Sequence, residues 1–155
     1  PSDTGHTAFG DIFLSRSRDL VYWGKHRHVI SPSERYAWQS RKVGAGPIPI
    51  ETSEGWLVFY HGVLNSCNGF VYSFGAMLLD LEDPSRVIGL CKVPLMAPEG
   101  PEEQIEGFRT NALFPCGMIL EDDQTVRIYY SASDTVVRLA TAKLDDLISL
   151  CTEKP

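Results

Sequence analysis

The chain has 155 residues, of which 43% are hydrophobic and 22% charged, as is typical of a single globular domain with a sizeable core. Its formal net charge is −6, and its longest basic patch is only Lys25–His28. These features argue against nucleic acid as the main partner, and no apolar stretch approaches the ~20 residues that a membrane span needs.

Short β-rich segments dominate the chain, and most are bounded by Gly, Pro, Asn or Asp, which is typical of strands joined by turns. Carboxylates at Asp145 and Asp146 favour one helix, over Leu144–Cys151. Residues 94–107 are a proline- and acid-rich connector. The sequence therefore predicts an all-β fold with a short C-terminal helix. The predicted strands are Asp11–Ser15, Ile48–Glu51, Trp56–His61, Phe70–Leu79, Arg86–Cys91, Leu113–Leu120, Val126–Ser131 and Val136–Ala142.

The cysteines form neither a C-x-x-C pair nor an even disulfide framework. Scattered thiols of this kind favour reduced side chains and no metal site; they are Cys67, Cys91, Cys116 and Cys151. Nothing in the sequence is typical of a signal peptide, so the expected location is the cytoplasm. Because the first residue is Pro1 rather than Met, we expect a fragment or a processed product.

A weak repeat links two predicted hairpins. Residues 49–60 match residues 117–130 in pattern, with Tyr60 aligned on Tyr130, and a partial third copy starts at Ile12. Repeated four-stranded units of this kind predict the blades of a β-propeller.

The repeat divides one domain into three parts. A blade remnant is expected at 1–43, and blades at 44–107 and 108–155, within a single partial propeller domain at 1–155. Two blades and a remnant do not close a ring and leave sheet edges uncovered. We therefore expect either that an N-terminal half completes the ring or that the chain self-associates.

Short motifs also occur in a fixed order along nearly the whole chain. They are Asp11–Ser15, Asp19–Gly24, Trp38–Gly46, Ile50–Trp56, Tyr60–Val63, Val71–Ala76, Leu79–Ser85, Phe114–Gly117 and Ser133–Thr135. Together they resemble the C-terminal half of glycoside hydrolase family 130, the inverting β-mannoside phosphorylases, which are five-bladed β-propellers. The segment Asn65–Gly75 is most similar to the branch that acts on 4-O-β-D-mannosyl-D-glucose. The resemblance implies a partial propeller of about two to three blades.

The resemblance also implies an activity. Phosphate would attack the anomeric carbon of a β-1,4-mannoside, either mannosyl-glucose or a mannooligosaccharide, and yield α-mannose 1-phosphate with inversion. Phosphate is then a co-substrate, and no cofactor is implied. The family's catalytic aspartate and its phosphate-binding arginines lie in the N-terminal half, which this chain does not contain. The chain alone is therefore expected to be inactive, to need the N-terminal propeller half, and to belong to a homo-oligomer.

Three side chains are candidates for the phosphate site. Lys42 precedes a glycine-rich turn, where a fixed cation suits an anion, although a surface lysine would fit the same spacing. His61 ends a predicted strand, so its ring is expected at the edge of the sheet; the alternative is a structural histidine. The resemblance implies that both residues contact the attacking phosphate. Tyr72 could add a hydroxyl to the same anion, although tyrosines on strands also pack in cores.

Four side chains are candidates for the sugar site. The repeat places Asp134 on the same face as the phosphate histidine, and the resemblance implies that it binds mannosyl hydroxyls; the alternative is a turn cap. Phe114 and Trp38 could stack on sugar rings. Asn68 lies in the segment Leu64–Gly69, which we interpret either as a loop insertion that walls the acceptor site or as a variable loop.

Two segments depart from the family pattern near the expected sugar site. Phe108–Asn111 replaces the more usual Val-Pro before Asn, and Ser131–Asp134 carries serine where the family often has glycine or alanine. We therefore expect an altered substrate preference. Two other functions stay open: a carbohydrate-binding propeller without the chemistry, and a β-mannoside hydrolase of the same family, against which Lys42 and His61 argue.

Overall fold

The computed structural model describes residues 10–105 and 107–152, and these form three antiparallel sheets in chain order. The first sheet pairs β1 (Ile12–Ser17) with β2 (Trp23–Ile30). The second sheet has the order β3 (Lys42–Ala45), β5 (Trp56–Ser66), β6 (Gly69–Leu79) and β7 (Val87–Leu90), with β4 (Ile50–Glu51) also paired to β5. The third sheet contains β8 (Leu113–Leu120), β9 (Thr125–Ala132) and β10 (Val136–Lys143). Helix α1 (Pro101–Gln104) lies in the connector between the second and third sheets, and helix α2 (Leu144–Thr152) follows β10.

The second sheet is buried on both faces because the other two sheets pack against it. Successive side chains of a strand point to opposite faces, so Phe59 and Tyr60 of β5 enter different cores. Phe59 belongs to the core shared with the third sheet and α2, whereas Tyr60 belongs to the core shared with the first sheet. A central strand with two buried faces explains why the sequence shows a continuous apolar block here.

Tyr60 and Tyr130, which the repeat aligns, occupy equivalent positions in the fold. Tyr60 lies in the core between the first and second sheets, and Tyr130 lies in the core between the second and third. The ring of Tyr130 is 5.8 Å from that of Phe74 on the second sheet. Each tyrosine therefore packs onto the preceding sheet, which confirms that the sequence repeat is a structural one.

Three sheets stacked in this way form a partial propeller, as the sequence predicts, with α2 as the short C-terminal helix. The predicted boundary at residue 44 falls inside β3, so the second sheet begins at Lys42. The far face of the third sheet is uncovered, with Ile119, Val137 and Leu139 each at least half exposed. Over residues 10–105 and 107–152, no helix is long and apolar enough to cross a membrane.

Four local expectations are wrong. The sequence places a glycine-rich turn after Lys42, but Lys42–Ala45 form β3, which pairs with β5. The sequence predicts no strand at Trp23–Ile30, but these residues form β2; its side chains are mostly exposed and polar, so it carries no apolar alternation. Strand β5 continues past His61 to Ser66, and β6 begins at Gly69, because main-chain pairing extends beyond the apolar block. Residues 64–69 are therefore a tight hairpin rather than a loop insertion. The connector also contains α1, which the sequence does not predict.

Candidate functional site

His61 lies at the centre of the candidate site and is only 3% exposed. The expectation of a ring at the sheet edge is therefore wrong, because β5 and β6 stay paired on both sides of this residue. The centroid of its ring is 4.3 Å from that of Phe114 and 6.1 Å from that of Tyr72. Among the described residues, nothing bonds to its Nδ1 atom. Because an unpaired buried nitrogen is costly, this atom points to a bound ligand or to a further protein segment.

Lys42 places a positive charge beside this imidazole. Lys42 pairs with Val63 and Gly44 pairs with His61, so Lys42 and His61 lie on the same face of neighbouring strands. Burial, and secondarily the Lys42 charge, lowers the pKa of His61 from 6.5 to about 4. At neutral pH His61 is therefore uncharged and offers hydrogen bonds, while the charge comes from Lys42.

Glycines make room for both side chains. A Cβ atom on Gly44 would collide with Cε1 of His61 and lie 2.6 Å from its Nε2. A Cβ atom on Gly10 would likewise collide with the aliphatic stem of Lys42. The glycines of this region therefore let the imidazole and the lysine stem lie directly against the backbone.

Tyr72, Arg109 and Asp134 continue the site from His61. The guanidinium carbon of Arg109 is 5.9 Å from the Tyr72 ring centroid, within cation–π range. Its Nε is 3.9 Å from Oδ2 of Asp134, which is too long for a direct hydrogen bond. A continuous row thus runs from Lys42 through these residues to Asp134. The structure therefore brings the three predicted phosphate residues into one region with Asp134, one of the four predicted sugar residues.

Hydrogen bonds fix the turn that carries Asp134. Ser133 is buried, and its hydroxyl donates to the carbonyl oxygens of Glu102 and Glu103 in α1, at 3.0 Å each. Arg138 of β10 donates to the carboxylates of the same two glutamates, at 2.6 Å and 3.0 Å. The backbone φ angles of Ser133 and Asp134 are 54° and 50°, a left-handed conformation that aspartate adopts more readily than most residues.

The segment before β8 is tied to both neighbours and so positions Arg109. The N–H of Arg109 donates to the carbonyl of Ser133 at 3.1 Å, and the N–H of Tyr72 donates to the carbonyl of Asn111 at 2.8 Å. Sequence reasoning did not select Arg109. The signal that could have found it is the departure of Phe108–Asn111 from the family pattern, which puts a cation beside the expected sugar site.

Trp38 lies away from this row. It is 8% exposed and packs on the opposite face of the second sheet, where its ring fills the space beside Gly62 and Gly75. Its Nε1 donates to the carbonyl of Lys92 at 3.2 Å. Because the ring is enclosed by the core, we leave Trp38 out of the candidate site.

Phe114 belongs to the row through its contact with His61. Asn68, by contrast, is separated from the row. Asn68 is exposed at the tip of the β5–β6 hairpin, and the last pair before this tip, Ser66–Gly69, is three residue pairs beyond the pair Val63–Tyr72. At the rise of a strand this is about 10 Å. A direct contact between Asn68 and the row would need a ligand that spans this distance.

The row offers different chemistry at its two ends. The Lys42 ammonium, an imidazole nitrogen of His61 and the Tyr72 hydroxyl are donors suited to an anion. At the other end the Asp134 carboxylate accepts hydrogen bonds from hydroxyl groups. The Phe114 ring adds an apolar surface beside His61. The arrangement can therefore hold an anion next to a polyol.

Comparisons with known proteins find similar sequences over nearly the whole chain. The model of one protein family, described as beta-1,4-mannooligosaccharide phosphorylase, matches residues 3–153. A beta-1,4-mannooligosaccharide phosphorylase of Ruminococcus albus is 52% identical over 149 residues, which cover 96% of this chain and 44% of that relative. A 4-O-beta-D-mannosyl-D-glucose phosphorylase of Bacteroides fragilis is 42% identical over 114 residues, which cover 74% of this chain and 29% of that protein.

A solved structure has the same fold. The beta-1,2-mannobiose phosphorylase of Listeria innocua, in complex with beta-1,2-mannobiose, superposes with a TM-score of 0.82 at 35% identity. The match covers 91% of this chain and 38% of that chain. The chain thus spans less than half the length of the relatives that it matches.

Proposed function

The chain belongs to glycoside hydrolase family 130, and from this premise we propose that it forms part of a phosphorylase that cleaves β-1,4-linked mannosides. By "complete enzyme" we mean this chain joined to the remaining blades of its propeller. The observation that carries the proposal is the position of Lys42 beside a buried, neutral His61 whose Nδ1 lacks a partner among the described residues. A site of this kind suits inorganic phosphate as the attacking group.

In the proposed reaction, a phosphate oxygen attacks the anomeric carbon, the glycosidic carbon–oxygen bond breaks, and a proton passes to the leaving sugar oxygen. The product is α-mannose 1-phosphate, with inverted configuration. Lys42 balances the charge of the phosphate while His61 and Tyr72 donate hydrogen bonds to it. Asp134 holds hydroxyls of the mannosyl ring. The acid that protonates the leaving oxygen belongs to the blades outside this chain, as the resemblance implies.

The proposed substrate follows from the relatives. The family description and the Ruminococcus albus relative both specify β-1,4 linkages, whereas the Listeria innocua relative, at lower identity, is a β-1,2-mannobiose phosphorylase. The identity of 52% with the mannooligosaccharide enzyme exceeds the 42% with the mannosyl-glucose enzyme. We therefore place mannooligosaccharides before mannosyl-glucose as substrates, although motif similarity alone favours mannosyl-glucose.

The uncovered surfaces support a need for further blades. The far face of the third sheet exposes Ile119, Val137 and Leu139, and a face of this kind suits another sheet packed against it. The first sheet, in the part that the structure describes, has two strands where the second has five. We propose that the N-terminal half of the propeller covers these surfaces, and that the complete enzyme is a cytoplasmic homo-oligomer.

Phosphorolysis assays test the proposal. The complete enzyme is incubated with β-1,4-mannobiose or β-1,2-mannobiose, with and without phosphate, and mannose 1-phosphate is measured. We expect phosphate-dependent turnover of the β-1,4 substrate and none by the isolated 155-residue chain. Release of free mannose at the same rate without phosphate would show a hydrolase instead. Preference for the β-1,2 substrate would contradict the proposed β-1,4 specificity. Sugar binding without turnover by the complete enzyme would indicate a binding module.

A further inference from the structure

We infer that Arg109 is a substrate-binding residue. Arg109 donates a hydrogen bond to a mannoside hydroxyl, and the same hydroxyl donates a hydrogen bond to Asp134. The inference rests on the proposed function and adds to it a contact that the usual Val-Pro at this position cannot make. This contact would make Arg109 a determinant of sugar specificity.

The spacing of the two side chains carries the inference. Nε of Arg109 and Oδ2 of Asp134 are 3.9 Å apart, beyond the length of a direct hydrogen bond. One hydroxyl oxygen can lie about 2.8 Å from both atoms. A guanidinium only donates and a carboxylate only accepts, whereas a hydroxyl does both. A sugar hydroxyl between the two groups would therefore satisfy all three.

The exposure of the pair leaves it open to a ligand. The side chains of Arg109 and Asp134 are 56% and 46% exposed, and an ion pair with this exposure contributes little to folding. Arg138, on the strand β10 that follows Asp134, makes a useful contrast, because two carboxylates hold it at 2.6 Å and 3.0 Å. Arg138 is bonded directly to two carboxylates, as expected of an arginine that stabilises the fold, whereas Arg109 has no carboxylate within hydrogen-bond distance among the described residues.

The position of Arg109 is nevertheless well defined. Its backbone N–H is bonded to the carbonyl of Ser133, in the same turn as Asp134. Its guanidinium carbon lies 5.9 Å from the Tyr72 ring, which orients the side chain without using its hydrogen-bond donors. Arg109 is thus held between the proposed phosphate and sugar ends of the row, and its guanidinium makes no direct hydrogen bond within residues 10–105 and 107–152.

Kinetics of the complete enzyme test this role. We expect Arg109→Ala to raise the KM for β-1,4-mannobiose ~10-fold or more, as loss of a charged donor predicts, and to leave the KM for phosphate within about twofold. Arg109→Lys should restore only part of the loss, because an ammonium cannot reproduce the Nε position. Arg86→Ala is the control, since Arg86 pairs with Asp80 at the exposed turn between β6 and β7, far along the sheet from the row, and should change neither constant.

Substrates that lack single hydroxyls locate the contact. For one monodeoxy mannobiose, we expect wild type and Arg109→Ala to have the same KM, because the bridged hydroxyl is already missing. In the double variant Arg109→Ala with Asp134→Asn, the two losses should be less than additive. The inference is overturned if Arg109→Ala raises the KM of every deoxy substrate by the same factor as that of the parent mannobiose. It is also overturned if Arg109→Ala raises the KM for phosphate instead. If Lys42→Gln leaves the phosphate KM unchanged, the proposed phosphate site is wrong, whatever the Arg109 variants show.

Discussion

The imidazole of His61 lies directly over Gly44 of the neighbouring strand, at a distance where even one added methyl group would displace it. This contact joins a glycine-rich strand to the residue that the sequence singles out as a phosphate ligand. Lys42, two residues before Gly44, shares this face with the imidazole because alternate residues of a strand point the same way. The geometry of the proposed anion site therefore depends on the absence of a side chain at Gly44 as much as on the residues present.

Gly44→Ala should therefore impair the site. The added Cβ would collide with His61, so the ring must move, and overpacking of this kind costs about 1–3 kcal/mol of unfolding free energy. In the complete enzyme we expect the KM for phosphate to rise at least severalfold. Gly24→Ala is the matched control, because a Cβ there has no neighbour within 4 Å. Equal phosphate KM values for the two variants would contradict the account.

The buried neutral His61 should make stability depend on pH. Its pKa is about 4 in the folded chain against 6.5 ordinarily, so the unfolded chain binds more protons between these values. The contribution to stability is complete above about pH 7 and is lost as the pH falls towards 4, by roughly 3 kcal/mol. Urea unfolding of the 155-residue chain at several pH values measures the effect.

Two histidine variants test whether His61 causes this pH dependence. His61→Gln should show a weaker pH dependence of its unfolding free energy than wild type does. His26→Gln should keep the wild-type dependence, because His26 is exposed and bonds to the Ser15 hydroxyl. An unchanged pH dependence in His61→Gln would mean that His61 is not the responsible group.

Lys42→Gln should weaken the binding of phosphate more than the binding of the mannoside. Removal of one charged contact to the anion is expected to raise the phosphate KM of the complete enzyme by ~10–100-fold, with a smaller effect on the mannoside KM. Lys25→Gln removes an exposed lysine of the first sheet and should leave both constants unchanged. A mannoside effect as large as the phosphate effect would place Lys42 in a different role.

Arg138→Leu should destabilise the fold, because it leaves the carboxylate of Glu103 buried without its charge partner. Glu103 is 6% exposed and accepts a 3.0 Å hydrogen bond from Arg138, so we expect a loss of about 1–3 kcal/mol in urea unfolding. Arg127→Leu removes the partner of Glu121 in an exposed pair and should cost less than about 1 kcal/mol. Equal losses in the two variants would show that burial of Glu103 does not matter.

The sequence predicts the repeat and most of the strands because both depend on local pattern. Alignment of Tyr60 with Tyr130 succeeds because each tyrosine packs onto the preceding sheet, so the same apolar pattern recurs. Strand β2 is missed because its side chains are exposed and polar, and its pairing depends on the main chain. For the same reason the sequence does not show that β5 extends beyond His61.

The site is predictable in part. The motifs select Lys42, His61 and Asp134, and the structure brings these residues into one row. The burial of His61 depends on Phe114, a partner more than fifty positions away, which no local pattern reveals. Arg109 escapes selection because its importance comes from its position between Tyr72 and Asp134 in space.

The most direct test of the central claim is phosphorus NMR of the complete enzyme with β-1,4-mannobiose and phosphate. We expect the signal of α-mannose 1-phosphate to grow as phosphate is consumed, and to be strongly reduced by Lys42→Gln at low phosphate concentration. Free mannose formed without phosphate consumption, or a Lys42→Gln enzyme as active as wild type at low phosphate, would contradict the assignment of Lys42 and His61 to a phosphate site.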